Sequence, residues 1–427
     1  MNTPDHQQVR QVRAILEPLS AVVHVPGSKS VANRVLVCAA LADGTSRLGG
    51  VAPGDDTAAM LDCLRALGVE VGVEGDHVVI VGTGGRFADG DRALHARLAG
   101  TTSRFITAVA ALAPGPCVVD GLPPLRTRPM TPLHDALRQL GAGVEPSETW
   151  GHLPVTMRGP LRRGGVVSIS GDVSSQYITA LMLIGPLLDG GLRIELTTPL
   201  VSRSYLGITA AVMASFGVDG VVVGDDVVEV PAGRYAPTDY HVEPDASSAG
   251  YPLAAAAIVG GTVHVPGLTS SSLQGDARFA GLLAEMGCDV VVNARGTTVT
   301  REGPLRGIEV DMIDLSDLVP TLAVVAPFAH TATVIRGVGF IRSKESDRLG
   351  DLCAELRRAG VHATETDDGL VVQPGPPHGA RLGTHHDHRL AMSFALLGLY
   401  VDGIEVEDPA VVSKSWPEYW DMLENLA

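Results

Sequence analysis

Lysines and arginines stand in this sequence where helices should begin. In "VPGSKSVANRVLVCAALADG", Val31, Val35 and Cys38 fall at i, i+4 and i+7, which predicts an amphipathic helix. Ser28 or Ser30 would cap it, yet Lys29 sits at its start and Arg34 one turn in. A helix N-terminus carries partial positive charge and disfavours a cation by roughly 0.3–1 kcal/mol. The pattern recurs along the chain. "LAGTTSRF" puts Arg104 in a first turn, and "LRTRPMTPL" puts Arg126 and Arg128 just before a helix with Pro129 at a first-turn position. "SKESDRLGDL" sets Lys344 and Arg348 four apart on one face of a helix. "HHDHRLAM" places Arg389 at a helix start, and "VVSKSWPEYW" places Lys414 before the last helix. Any one of these is an ordinary surface charge, and "SKESDR" alone would pair along a helix. Together, in a chain of net charge −16, they point to a polyanionic ligand. Helix N-termini offer N–H groups to phosphate or carboxylate, and Lys and Arg add charge-assisted bonds.

Groups that could move protons lie among these cations. Asp317, in "DLSDLVPTLA", is either a helix cap or a general base, and Glu345 is a candidate general acid tuned by Lys344 and Arg348. "SGDVSSQYITA" offers Ser174, Ser175 and Gln176 as adjacent neutral donors, and "VSRSYLGI" offers Ser202 and Tyr205. His385, His386, Asp387 and His388 suggest a metal, but adjacent residues rarely point at one ion and no second cluster joins them. "PGSKS" lacks the spacing of a nucleotide-binding P-loop, and no G-x-G-x-x-G follows a strand and opens a helix.

The elements that must position these residues repeat. Six segments, with polar starts near Ser30, Thr102, Ser175, Ser248, Asp317 and His388, each run into an Ala/Leu-rich helix and then a Val-rich strand. The starts lie about 70 residues apart. A second helix follows each strand and ends at Gly68, Gly141, Gly217, Gly287 or Gly360, where glycine supplies a left-handed cap. Each unit therefore reads β-α-β-α-β-β. The sixth stops after its second helix, at Ala427, and "VRAILEPLSAVVHV" near the N-terminus has no unit of its own, so the N-terminal segment is expected to complete the last unit. The fold class is α/β (α+β). Residues 25–241 form one domain from units 1 to 3; residues 1–24 with 242–427 form the other from units 4 to 6. Six tandem modules in a solenoid are the alternative, but about 70 residues is long for a solenoid repeat. Ligands favour domain interfaces, which places the expected active site in the cleft between the two domains.

Bulk properties agree with this reading. At 427 residues the chain can hold two or three domains. Aromatics are 4%, so the core is built from Ala, Val and Leu. The acidic balance argues against nucleic acid as a partner. Cys38, Cys63, Cys117, Cys288 and Cys353 form no C-x-x-C pair and read as core residues in a reducing compartment. "MNTPDHQQVRQVR" has no apolar signal region, and no apolar run reaches 18 residues, so the expectation is a cytoplasmic protein without a membrane partner.

The motifs "PGSKSVANR", "LAGTTSRF", "LRTRPM", "GDVSSQY", "SKESDRL", "DHRLAM" and "SKSWPEY", in this order and nearly end to end, resemble the 5-enolpyruvylshikimate-3-phosphate synthase family of enolpyruvyl transferases. The resemblance implies two domains of three repeats each, an inside-out α/β barrel. It implies transfer of the enolpyruvyl group of phosphoenolpyruvate to the 5-hydroxyl of shikimate 3-phosphate by addition and elimination, with release of phosphate, in a monomer with no metal or organic cofactor. By the same resemblance Lys29 touches both substrates, and Ser30 and Arg34 hold the shikimate carboxylate. Ser174, Ser175 and Ser202 hold its phosphate, with Gln176 and Tyr205 lining the site. Asp317 and Lys344 meet the hydroxyls, with Asp317 as base. Gly100, Arg128 and Lys414 bind the phosphate of phosphoenolpyruvate, Arg348 and Arg389 bind its carboxylate, and Glu345 protonates the methylene carbon. The chain departs from the family at Leu98, Phe105 and Phe340, where many members carry Asn, Pro, and Asn or His. A sister enzyme acting on UDP-N-acetylglucosamine is the nearest alternative. It carries a cysteine where this chain has Pro123 in "GLPPLRTRPM". A catalytically inactive anion-binding homologue would have lost acids or cations that are all present here. An RNA-end-processing enzyme of similar repeat type shares only the fold.

Overall fold

The computed structural model describes residues 8–426; the first seven residues of the N-terminal stretch and Ala427 lie outside the described residues. The chain divides into two units, Met1–Pro26 with Pro244–Ala427, and Gly27–Glu243.

Within Gly27–Glu243 the same sheet is built three times. In the second, Arg92–His95 lies parallel to Gly115–Asp120, which pairs antiparallel with Val155–Gly159, and Gly143–Pro146 takes the edge. The third repeats this with Arg163–Ile169, Asp189–Leu196, Val227–Val230 and Val222–Val223. The first borrows its leading strand, Tyr240–His241, from the far end of the unit and sets it parallel to Asp43–Gly49. The other unit follows the same plan. Leu19–Val22 leads a sheet beside Gly261–Pro266, and Glu309–Asp311 leads one beside Thr333–Arg336. Its third sheet has three strands: Arg381–Leu382 parallel to Glu405–Glu407, and Val9–Gln11 antiparallel to the latter with Val9 opposite Glu407.

Helices fill the middle of each unit and sheets cover it. Each unit has its own apolar core. The helix Lys29–Leu41 is buried all round from Val31 to Leu41, not along one stripe as the amphipathic reading expects. A helix wrapped by a sheet on one side and sister helices on the other needs no polar face. Ala246–Val259 is likewise buried from Ala246 to Ile258, and a Cβ on Gly250 would lie 2.3 Å from Leu318 Cδ2, so small residues set the packing distance. The sheets carry the solvent face: Val73 and Val166 are exposed on their strands. Gly68, Gly141, Gly217, Gly287 and Gly360 all have positive φ, as the capping pattern expects. All five cysteines are buried thiols, and burial pushes those of Cys38 and Cys63 up to about 12.

One buried group makes the fold acid-sensitive. His134, in the helix Thr131–Gln139, is 0% exposed, packs edge-on against Trp150, and has no hydrogen-bond partner at either ring nitrogen. Burial first, then His152 and Arg104, lower its pKa from 6.5 to about 4. As pH falls between those values the unfolded chain takes a proton that folded His134 refuses, which costs roughly 3 kcal/mol of stability. His134→Leu should flatten the loss of urea midpoint between pH about 6.5 and about 4; an unchanged slope in the variant would refute this.

Candidate active site

In the Gly27–Glu243 unit, helix starts are tied to one another. Ser28 caps the first helix through Val31 N at 3.4 Å, and Lys29 takes its first position. Lys29 Nζ lies 3.1 Å from Asp56 Oδ2, and Asp56 is 3% exposed in the first turn of the helix Asp55–Ala66. That carboxylate offsets the cost of a lysine at a helix N-terminus. Thr102 Oγ1 donates to the Asp56 carbonyl at 3.2 Å, and Gln176 Nε2 donates to Thr101 Oγ1 at 3.2 Å. Three helix starts, at Lys29, Gly100 and Ser175, are thus linked through Asp56 and Gln176.

Arg34 is 2% exposed and spans two further helices. It donates to Thr209 Oγ1 at 2.8 Å, Thr179 Oγ1 at 3.3 Å, and the carbonyls of Ser30 and Tyr205 at 2.7 and 3.2 Å. Its guanidinium lies between the rings of Phe105 and Tyr205, at 5.4 and 5.8 Å from their centroids. Phe105, one of the departures from the family pattern, is therefore the buried floor under Arg34. Burial lowers the Arg34 pKa to about 10, which leaves it charged at neutral pH. Ser174 caps the third helix through Gln176 N, Ser175 is buried beside it, and Ser202 holds φ at +54°. A serine in the left-handed region is uncommon, and such strain concentrates at functional sites.

The helix Gly100–Ala110 has no side-chain cap. Over its first residue lie two guanidinium groups: a Cβ on Gly100 would meet Arg104 Nη1 and Arg128 Nη1, each at 2.7 Å. Burial and then the charge of Arg128 lower the Arg104 pKa to about 10. Arg104 donates to the Pro129 carbonyl at 3.3 Å, which the Tyr177 hydroxyl also reaches. Uncapped N–H groups under two like charges make a place for a phosphate. Arg126 does not belong here: it sits in the single turn Pro123–Arg126 and pairs with Asp120 at 2.7 Å. The helix after it begins at Thr131, so the first-turn proline is Pro132 and Pro129 lies outside. Gly100→Ala should leave Tm nearly unchanged, because the clashing atoms are ends of flexible side chains. It should weaken binding of inorganic phosphate, read by calorimetry, by about tenfold; undiminished affinity would count against this site.

The other unit carries the acids. "SKESDR" is not helical. Asp347 Oδ1 accepts from Leu349 N and Gly350 N, so the helix starts at Gly350 and the preceding residues stay in turns. Arg348 donates through Nε and Nη2 to both Asp387 oxygens, at 2.6 and 3.1 Å, and through Nη1 to Asp317 at 2.9 Å. Arg389 Nη2 reaches the other Asp317 oxygen at 2.7 Å, and Lys344 Nζ stands 3.7 Å from Asp317 while lying over the Phe340 ring. Asp387 caps the helix His388–Gly398. Glu345 pairs with His388 Nδ1 at 2.7 Å and Lys414 Nζ at 2.9 Å. Burial opposes its charge, but His388, Lys414 and Arg348 outweigh burial and hold its carboxyl well below the usual range. Glu345 is thus held as an anion, the reverse of the tuning a general acid needs.

Asp56, Asp387 and His388 had no partner in the sequence reading. The only signal for Asp56 was an acidic pair at a helix start. Glu345, Asp387 and His388 offer ligand atoms within 4.8 Å of one another, and Glu345 is the converging residue that the "HHDH" run lacked. Arg348 pairs with Asp387 and Lys414 with Glu345, and Asp387 Oδ1 also accepts from Arg389 N, so the donor set reads as an ion-pair network rather than a metal centre. His385 turns away to Glu355 at 3.0 Å and His386 to Asp408 at 3.3 Å.

Comparison with known proteins agrees with the motifs. The pattern of the EPSP synthase (3-phosphoshikimate 1-carboxyvinyltransferase) family matches residues 14–423. A 3-phosphoshikimate 1-carboxyvinyltransferase of Nostoc punctiforme is 40% identical over 96% of this chain and 97% of its own. The structure of EPSP synthase from Acinetobacter baumannii superposes with a TM-score of 0.82 at 26% identity, covering 99% of this chain and 98% of that one. The enolpyruvyl transferase NikO from Streptomyces tendae shares the fold, with a TM-score of 0.78 at 19% identity over 98% and 97% of the two chains. Repeat plan, cationic helix starts and end-to-end similarity lead to one assignment: the chain belongs to the EPSP synthase (3-phosphoshikimate 1-carboxyvinyltransferase) family.

Proposed function

We propose that this protein transfers the enolpyruvyl group of phosphoenolpyruvate to the 5-hydroxyl of shikimate 3-phosphate and releases phosphate. The observation that carries the reading is the charge balance of the two clusters. In the Gly27–Glu243 unit Lys29 pairs with Asp56, while Arg34 and Arg104 bond to hydroxyls and carbonyls and Arg128 stands with Arg104 beside Gly100. Lys344, Arg348, Arg389 and Lys414 face three carboxylates, Asp317, Glu345 and Asp387. Two substrates that together carry two phosphates and two carboxylates match that surplus.

In this reading both clusters serve one reaction. Lys29, Ser30, Arg34, Ser174, Ser175, Gln176, Ser202 and Tyr205 hold shikimate 3-phosphate, with Asp317 and Lys344 at its hydroxyls. Gly100, Arg128 and Lys414 take the phosphate of the donor, with Lys29 and Gln176, and Arg348 and Arg389 take its carboxylate. Asp317 accepts the proton of the attacking hydroxyl as its oxygen bonds to C2 of the donor, and a proton enters the methylene carbon. The Glu345, His388 and Lys414 group supplies that proton. Elimination then returns the methyl proton to that group as the C2–O bond to phosphate breaks, and the departing phosphate takes up the proton that Asp317 had accepted. The fixed cations stabilise the charge that shifts in these steps. No helix among the described residues is long and apolar enough to cross a membrane, and a cytoplasmic monomer is part of the proposal. The test is phosphate release from phosphoenolpyruvate with shikimate 3-phosphate, with UDP-N-acetylglucosamine, and with neither. Release with the first alone supports the reading; release with the second alone, or none, overturns it.

A further inference from the structure

Two threonines are buried in helix interiors beside Arg34. Thr179, in the helix Ser175–Ile184, and Thr209, in the helix Ser204–Ser215, are both 0% exposed. A buried hydroxyl is costly unless it is bonded. These two are bonded in one consistent direction. Thr209 Oγ1 donates its single proton to the Tyr205 carbonyl at 2.8 Å. The Thr179 hydroxyl, 3.1 Å away, therefore donates to Thr209. Both oxygens are left to accept, and both accept from Arg34: Thr209 from Nε at 2.8 Å and Thr179 from Nη2 at 3.3 Å. The Tyr205 carbonyl takes the second Nη2 proton, and the Ser30 carbonyl takes one on Nη1. A guanidinium has five N–H groups. Four are held by the protein, and among the described residues the fifth, on Nη1, has no acceptor. Arg34 Cζ also lies over the ring of Phe105, which is 0% exposed, and over that of Tyr205.

We propose that Thr179, Thr209 and Phe105 are positioning residues that set acceptor affinity, fixing the Arg34 guanidinium so that one Nη1 N–H remains for the acceptor's carboxylate. The proposal rests on shikimate 3-phosphate being the acceptor and on Arg34 binding its carboxylate. With its other donors anchored, Arg34 has no second N–H for the parallel pair of bonds that arginine commonly makes to a carboxylate. It reads the carboxylate through a single charge-assisted bond, so affinity depends on the guanidinium plane not turning. A group already held in place loses little freedom on binding. Removing either hydroxyl leaves a buried arginine N–H without its acceptor, and the side chain turns to find another.

The experiment is steady-state phosphate release by the whole chain, giving kcat and the KM for each substrate. The acceptors are shikimate 3-phosphate and its analogue with the carboxylate reduced to a hydroxymethyl group. Thr209→Val keeps the shape of the side chain and removes the acceptor of Nε. It should raise the KM for shikimate 3-phosphate roughly 10-fold and leave that for phosphoenolpyruvate within about twofold of the parent value. Phe105→Leu keeps apolar bulk without a π face and should raise the acceptor KM about 3-fold. Thr209→Ser restores the hydroxyl and should restore the parent KM. Thr179→Val is the independent probe if Thr209→Val folds poorly, with the same KM split expected. The parent's preference for the carboxylate over the hydroxymethyl acceptor should shrink in the valine variants, because the weakened contact is the one the carboxylate makes. A KM that rises equally for both substrates, or a preference that stays at the parent value, marks a merely structural role and overturns the proposal. Arg34→Lys is assayed alongside. If it raises the acceptor KM while the threonine and Phe105 variants do not, only the positioning role fails. If it leaves the acceptor KM unchanged, the assignment of Arg34 fails and takes this proposal with it. A parent chain that releases no phosphate with shikimate 3-phosphate overturns the proposed function and, with it, this inference.

Discussion

Lys29→Met should lose turnover by roughly 10³-fold or more, the scale on which removing a preorganised charge from a reacting centre acts. Lys29 opens a helix whose own N-terminus already attracts anions, so its ammonium adds to the field of the helix rather than replacing it. Its side chain is 16% exposed and bonded to a carboxylate that is 4% exposed. Methionine keeps the length and apolar stem but leaves Asp56 buried without its cation. That should lower stability by roughly 1–3 kcal/mol, the cost of a buried polar group losing its partner. The two effects separate in the pair Lys29→Met/Asp56→Asn. The second change removes the stranded charge and should recover much of the Tm, while turnover stays lost. Thermal melts and single-turnover assays on the two proteins decide it. A single variant that keeps a tenth of the parent rate, or a double variant that regains turnover with stability, would reduce Lys29 to a structural ion pair.

Local pattern carried much of this site, and long-range contact carried the rest. The cationic helix starts and the cap glycines were legible because each depends on a few neighbouring residues. Lys29 and Arg389 lie in first turns, Arg104 falls one turn in as the fifth residue of its helix, and Gly68 and Gly360 both hold positive φ. The helix drawn through Lys344 to Arg348 was misplaced by a competition that spacing does not show. The Asp347 carboxylate binds Leu349 N and Gly350 N, and so starts the helix later. The amphipathic reading of residues 31–41 erred differently: an apolar stripe does not say whether the opposite face is also covered. The partners of the cations were out of reach. Asp387 meets Arg348 across 39 positions of sequence, and Glu345 meets His388 across 43. With those partners unknown, the direction in which Glu345 is tuned was unknown too. A carboxyl between two cations in sequence could be read as an acid; with His388 and Lys414 on its oxygens it is an anion.

Asp317→Asn is expected to move catalysis and binding in opposite directions. Asp317 lies between the arginines proposed to hold the carboxylate of the donor, accepting from Arg348 at 2.9 Å and Arg389 at 2.7 Å, with Lys344 at 3.7 Å. As the base it removes a proton from the attacking hydroxyl, and an amide cannot, so kcat should fall by roughly 10²–10⁴-fold. As an anion on two guanidinium groups it competes with any carboxylate that binds them. An amide oxygen accepts more weakly from an arginine than a carboxylate does. The variant should therefore bind phosphoenolpyruvate severalfold more tightly while turning it over far more slowly. Arg348 keeps its bidentate bond to Asp387 throughout, so the fold should persist, and a melt can verify that. Calorimetric titration of the donor beside steady-state rates provides both readouts. Weaker binding together with slower turnover would mean that Asp317 holds the arginines in place for the donor rather than competing with it. Unchanged kcat would move the base elsewhere. Tighter binding with lost turnover is the outcome expected of a carboxylate that must yield its arginines to the substrate before it can take a proton.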